Sequence, residues 1–171
     1  MSTVIVSVIL IGGIVLLIMA FNTINKRNRK KKEQELISLF NKTGEKHGLS
    51  FSSQEVLRHK IIGLDGINRK FVMVNEKEGS SIISLDEVKS CVMKKNLVNY
   101  QSVDQKDSGY EKFVSSIGLL FEFKNKKQTE QVLFYDNLLH PVAEEKIMEV
   151  KAKDWETILS KIIGSSEKVR A

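Results

Sequence analysis

The sequence predicts an α+β fold: an N-terminal transmembrane helix, a juxtamembrane helix, then antiparallel strands closed by an amphipathic C-terminal helix. Three observations predict it. Val4 to Phe21 contains no charged residue. Short runs of β-branched and aromatic residues, separated by turn chemistry, fill the middle of the chain, as antiparallel strands do. After Pro141, apolar residues recur at three- and four-residue steps, the period of a helix with one buried face.

The apolar run from Val4 to Phe21 is 18 residues long and would span roughly 27 Å as a helix, close to the hydrocarbon thickness of a bilayer. It lacks a polar face, unlike a helix at the surface of a globular core. Nothing basic precedes it, and Ile18-Met19-Ala20 puts a bulky residue where a signal-peptide cleavage site wants a small one, so a retained anchor over residues 1–25 is expected. Lys26, Arg27, Arg29, Lys30, Lys31 and Lys32 follow immediately. Bases beside a membrane span stay cytoplasmic, which sets the N-terminus outside and the rest of the chain at the inner face of the cytoplasmic membrane. The same six residues are candidate contacts for anionic lipid headgroups, at about 1 kcal/mol each near the surface.

Those bases also account for the whole charge excess. The formal net charge is +6, and removing the six from 27 basic residues leaves 21 against 21 acidic ones. A nucleic-acid-binding domain carries its excess on the folded part, so no nucleic-acid partner is expected.

Residues 26–49 read as a basic segment leading into a helix, with Leu36, Leu39, Phe40, Thr43 and His47 in register and Gly48 as its C-terminal cap. Residues 50–164 form the folded domain and 165–171 a polar tail. Strands are expected over Arg58–Leu64, Arg69–Asn75, Ser81–Leu85, Val88–Lys94, Ile117–Lys124 and Gln131–Tyr135. Asp65-Gly66, Lys77-Glu78-Gly79 and Asn125-Lys126-Lys127 supply turns, and Asn99 to Glu111 is the longest loop. Pro141 opens the last helix, which runs to about Ile163 and stops at Gly164. Met148, Ala152, Trp155, Ile158, Leu159 and Ile162 make its apolar stripe. Trp155, in the middle of that stripe, is core rather than a partner contact on this periodicity.

Three stretches carry a resemblance: Ile61-Ile62-Gly63-Leu64-Asp65, the run from Ile83 to Cys91, and Phe134-Tyr135-Asp136 followed by Lys151-Ala152-Lys153-Asp154-Trp155. Over Phe51 to Ile163 the chain resembles small bacterial single-pass membrane proteins of unassigned function with a pleckstrin-homology-like cytoplasmic domain. The resemblance implies a split barrel plugged by the C-terminal helix, and a binding scaffold for peptides, proteins or headgroups. In lipid-binding barrels of that kind, bases gather around the loop joining the first two strands. The corresponding candidates here are Arg69 and Lys70, with Lys60 on the adjoining strand.

Catalysis needs a nucleophile, a base and an orienting group in mutual reach. Cys91, His59 and His140, with Asp65, Asp86 and Asp136, are the residues available. Cys91 lies between Ser90 and Val92-Met93 in a strand, the setting of a buried structural thiol. The three histidines lack metal-ligand spacing, and Gly63, Gly66 and Gly79 are assigned to hairpin ends, not to a phosphate loop. No catalytic residue, metal or cofactor is therefore expected. The function expected is a membrane-tethered, non-enzymatic interaction module for a protein partner, with membrane lipid contacted through the anchor. Anionic-lipid binding by the barrel is the alternative, and an unrecognised hydrolase stands behind both.

Overall fold

Residues 61–64 and 71–74 are almost wholly apolar, without the alternation of a strand that has one wet face. Such runs need cover on both sides, and the fold supplies it. The computed structural model describes residues 2–76, 79–101, 110–124 and 128–168; the side chains of 2–18, 20, 22, 25, 100, 101, 110, 111 and 166–168 also lie outside the description. Helix α1 (Ser2–His47) is followed by strands β1 (Ser53–Leu57), β2 (Lys60–Asp65), β3 (Lys70–Asn75), β4 (Gly79–Ser84), β5 (Val88–Gln101), β6 (Tyr110–Phe123) and β7 (Thr129–Asp136), then a 3-10 turn (Val142–Glu144) and helix α2 (Glu145–Lys168).

The strands make two antiparallel sheets, ordered β1-β2-β3-β4 and β5-β6-β7. The inner face of the first sheet, through Ile62, Leu64, Phe71 and Ile83, packs with Ile117, Leu119, Phe121 and Phe134 of the second and with Met148, Ala152, Trp155 and Leu159 of α2. The outer face, through Ile61, Val72 and Val74, is covered by Leu36 and Phe40 of α1, with Leu49, Phe51 and Ile82 around them. Phe40 stacks on Phe51 with ring centroids 4.2 Å apart. It also lies directly over Gly63, where a Cβ would overlap its ring. Gly63 is thus a mid-strand residue chosen for close approach, not a hairpin-end glycine.

Two expectations are corrected here. The transmembrane anchor is the first: among the described residues, no helix is long and apolar enough to cross a membrane. The described side chains of α1 run from Met19 and Phe21 into the bases at 26–32, too charged a stretch to cross, while the side chains of residues 2–18 lie outside the description. The single-pass placement at the inner membrane, N-terminus out, and lipid contact through an anchor go with it. The juxtamembrane helix runs on directly from the segment before it, since α1 has no break at residue 25. The closed split barrel is the second. Among the described residues no backbone ladder joins the two sheets. A tight turn, with Glu87 N donating to Ser84 O and Val88 N to Leu85 O, sends β5 off into the second sheet. β4 and β7 approach through a side-chain hydrogen bond from Ser81 Oγ to Glu130 Oε1, and β1 is bound to α2 by Lys151–Glu55.

Element boundaries moved for local reasons. β1 contains two apolar residues, of which Val56 is exposed and Leu57 buried, so its sequence carries little pattern. β5 and β6 run on into the segment expected as a loop, pairing to Gln101↔Tyr110 past a bulge at Asn96/Leu97; residues 102–109 lie outside the described residues, as do 77–78 and 125–127 of the expected turns. α2 continues past Gly164, and Ile163 takes the buried place expected for Ile162. The outer edge of β5 is covered by α2 side chains: Glu156 accepts from Met93 N at 2.8 Å, and Lys95 Nζ reaches Glu149 at 2.8 Å and Glu145 at 3.3 Å.

Asp65 is the one fully buried carboxylate among the described residues and ties the β2–β3 turn to the chain leaving α1. It accepts hydrogen bonds from Ser50 N (2.7 Å), Asn68 N (2.8 Å) and Asn68 Nδ2 (2.7 Å). Burial on its own would raise this carboxyl, but the bonds from Asn68, Ser50 and Ile67 outweigh it and hold the group below the ordinary carboxylate range. Its contribution to stability is therefore present above the unfolded-state value and lost as pH falls through the folded one. Asp65→Ala is expected to destabilise by about 2–3 kcal/mol at neutral pH. The gap to wild type in urea melts should narrow below about pH 4; a gap that stays constant into acid would contradict this account.

Candidate functional site

Leu57 and Lys60 are a paired register position, so Arg58 and His59 form a two-residue turn at the tip of the β1–β2 hairpin. Glu76 N donates to His59 O at 3.3 Å, fastening this tip to the end of β3. Opposite stands the end of β7. There Asp136 O accepts from Leu139 N and His140 N, and Asp136 Oδ1 accepts from Leu138 N at 2.9 Å, which curls residues 136–140 into a tight turn. Asp136 N lies 3.2 Å from His140 Nδ1, and the His140 ring lies 5.6 Å from that of Tyr135.

Between hairpin tip and β7 turn the two sheets part, leaving a cleft of about 260 Å³. Leu57, Leu133, Phe134 and Leu139 give it apolar walls, and His59 and His140 stand among the polar groups that line it. The volume falls below the ~300–1,000 Å³ of a site that encloses a drug-sized ligand. It suits one side chain. A second groove, of about 340 Å³, lies on the other side of the same hairpin tip, walled by Arg29, Lys32 and Leu36 of α1 and sharing Leu57, Arg58, His59 and Glu76 with the cleft.

His59 reports on both. Burial lowers its pKa first; Glu76, 4.0 Å away, opposes, while Arg58, His140 and Lys32 push it down further. The imidazole is therefore neutral at pH 7. Lys32→Gln is expected to move the His59 titration upward and Glu76→Gln to move it downward, followed by NMR of the ring protons. No upward shift with Lys32→Gln would show that α1 does not lie against the hairpin tip.

The sequence candidates are placed as follows. Lys26, Arg27, Arg29, Lys30, Lys31 and Lys32 are all exposed on α1. Arg29 and Lys32 line the groove. Lys60 lines the cleft, whereas Arg69 and Lys70 sit at the other end of the β2–β3 pair, since Lys60 faces Asn75 and Asp65 faces Lys70. Six strand residues separate them by roughly 17 Å. The three bases do not converge on one anion. Arg69, at φ 52°, is instead engaged by Asp86 (2.7 Å from Nε) and Ser165 Oγ (3.3 Å from Nη1), joining two turns to α2. Cys91 is buried, and burial followed by Glu156 pushes its thiol up to about 12, so it stays protonated at neutral pH. His47 is exposed. Among the described residues no group of three or more His, Cys, Asp or Glu side chains is placed to hold a metal ion.

Sequence reasoning missed that His59 and His140, 81 positions apart, share one cleft. Recognising β1 would have exposed Arg58-His59 as a hairpin tip; nothing in the sequence pointed to the β7 turn as its opposite wall. No family model, curated protein or solved structure matches the chain.

Proposed function

We propose that this protein is a non-enzymatic interaction module that receives a segment of a protein partner, seating one apolar side chain in the cleft between the β1–β2 hairpin tip and the β7 turn. The cleft itself carries this proposal: an apolar-walled recess of about 260 Å³ rimmed by hydrogen-bonding groups, too small to enclose a cofactor and open on one side. Its walls belong to a tight hairpin and a hydrogen-bonded turn, so it needs little ordering before binding. Leu139, 55 % exposed, is the apolar residue at its mouth.

The test is selection of displayed random peptides on the full chain, followed by binding of the enriched peptides to Leu139→Asp. Enriched peptides sharing an apolar residue, and weakened by at least tenfold against Leu139→Asp, support the module. Ile67→Asp, 87 % exposed in the β2–β3 turn and outside the cleft, should leave binding unchanged. Peptides insensitive to Leu139→Asp, or no enrichment at all, would remove the cleft as the binding site.

A further inference from the structure

The cleft and the α1 groove are two halves of one surface divided by the hairpin tip, and they differ in charge. Within the cleft, Arg58 and Lys60 are set against Glu76 and Asp136, so it is formally balanced. Along α1 the balance is lost. Arg29, Lys32 and Arg58 line the groove with Glu33 and Glu76, leaving one base in excess, and Lys26 lies one helical turn before Arg29 on the same face. From Ser2 to Lys32 the helix contains no acidic residue. The remaining bases of the run, Arg27, Lys30 and Lys31, are exposed around the same two turns. Charge therefore rises in one direction only, from the neutral cleft, over Arg58 at the tip, onto α1. His59, lowered first by burial and against the pull of Glu76, is lowered further by Arg58, His140 and Lys32, two of them bases of this surface.

We infer that the occupant is an acidic peptide segment with a single apolar anchor, the anchor in the cleft and its carboxylates laid along Lys26, Arg29 and Lys32. This rests on the cleft being the binding site. A neutral apolar segment would leave the α1 groove unfilled, and a purely acidic polymer would leave Leu139, 55 % exposed at the cleft mouth, facing water. One occupant with both features matches both halves. Binding then fixes polarity as well as place, because reversing the peptide would carry its carboxylates away from α1.

The experiment measures binding of three synthetic peptides to the full chain by fluorescence anisotropy: a leucine followed by glutamates, the same peptide with glutamines, and the glutamate peptide with glycine for leucine. The leucine–glutamate peptide is expected to bind at least about tenfold tighter than the glutamine version at low salt, the advantage shrinking as the screening length contracts. The triple reversal Lys26→Glu, Arg29→Glu, Lys32→Glu should abolish that advantage. Lys89→Glu with Lys153→Glu, exposed on β5 and α2 outside both grooves, should preserve it. Equal binding of the glutamate and glutamine peptides overturns the acidic preference and leaves the cleft standing. Loss of any dependence on the leucine overturns the cleft and this inference together. If acidic vesicles or a single-stranded oligonucleotide bind as tightly through the same three bases, the occupant is not a peptide and the inference falls.

Discussion

Trp155→Ala is expected to lower folding stability by about 3–5 kcal/mol, measured as a shift of the urea midpoint with the slope unchanged. The indole is 4 % exposed in the middle of the α2 stripe and meets the Phe71 ring edge-on, centroids 5.8 Å apart at 80°. Phe71 in turn lies 5.2 Å from Phe121. These rings come from α2, the first sheet and the second, so the indole fills the place where three elements converge. Truncation removes its transfer energy and leaves a cavity that none of the three can close alone. A variant that stayed as stable as wild type would mean that α2 packs elsewhere and that Trp155 is free for a partner.

The second large effect lies on the other face of the first sheet. Phe40→Ala is expected to cost about 3–5 kcal/mol, because its ring is buried over Gly63 and stacked on Phe51. Gly63→Ala should destabilise too, by about 1–3 kcal/mol, since a methyl group there overlaps that ring. The double substitution tests the contact itself. With the Phe40 ring gone, the new methyl loses its severe overlap and keeps only the 3.0 Å approach to Phe51 Cδ1, so most of the Gly63→Ala penalty should vanish. Additive losses in the double mutant would show that the two residues do not touch.

The sequence foretold strands where it alternated, as at Leu119 and Phe121, and foretold α2 from its three- and four-residue steps, with Met148, Ala152, Trp155 and Leu159 all buried. It misled where one signal served two ends. The greasy run and its basic flank read as an anchor with a topology signal, yet the bases belong to a helix whose far end packs on a sheet. Leu39 was placed on the packing stripe because its spacing fits, but it is 41 % exposed, and the real seam runs through Leu36, Phe40 and Thr43. That the two sheets stay unjoined was invisible, because closure depends on how the corner between Ser84 and Val88 turns and not on composition. The candidate site was less legible still. Its walls are the tip of a weakly patterned hairpin and a turn far along the chain, and no residue-level signal joins them.

The seam between α1 and the first sheet also dictates how this protein can be cut. Ile61, Val72 and Val74 lie at 2 %, 0 % and 0 % exposure with Leu36 and Phe40 laid on them and Leu49, Phe51 and Ile82 around them. A fragment beginning at residue 50 keeps every strand, yet it would present that row to water as a contiguous apolar sheet face, the kind of surface through which chains self-associate. Such a fragment is expected to sediment as oligomers, whereas one beginning before Lys32 should remain monomeric. Residues 32–47 are, in effect, a built-in chaperone for the sheet they cover.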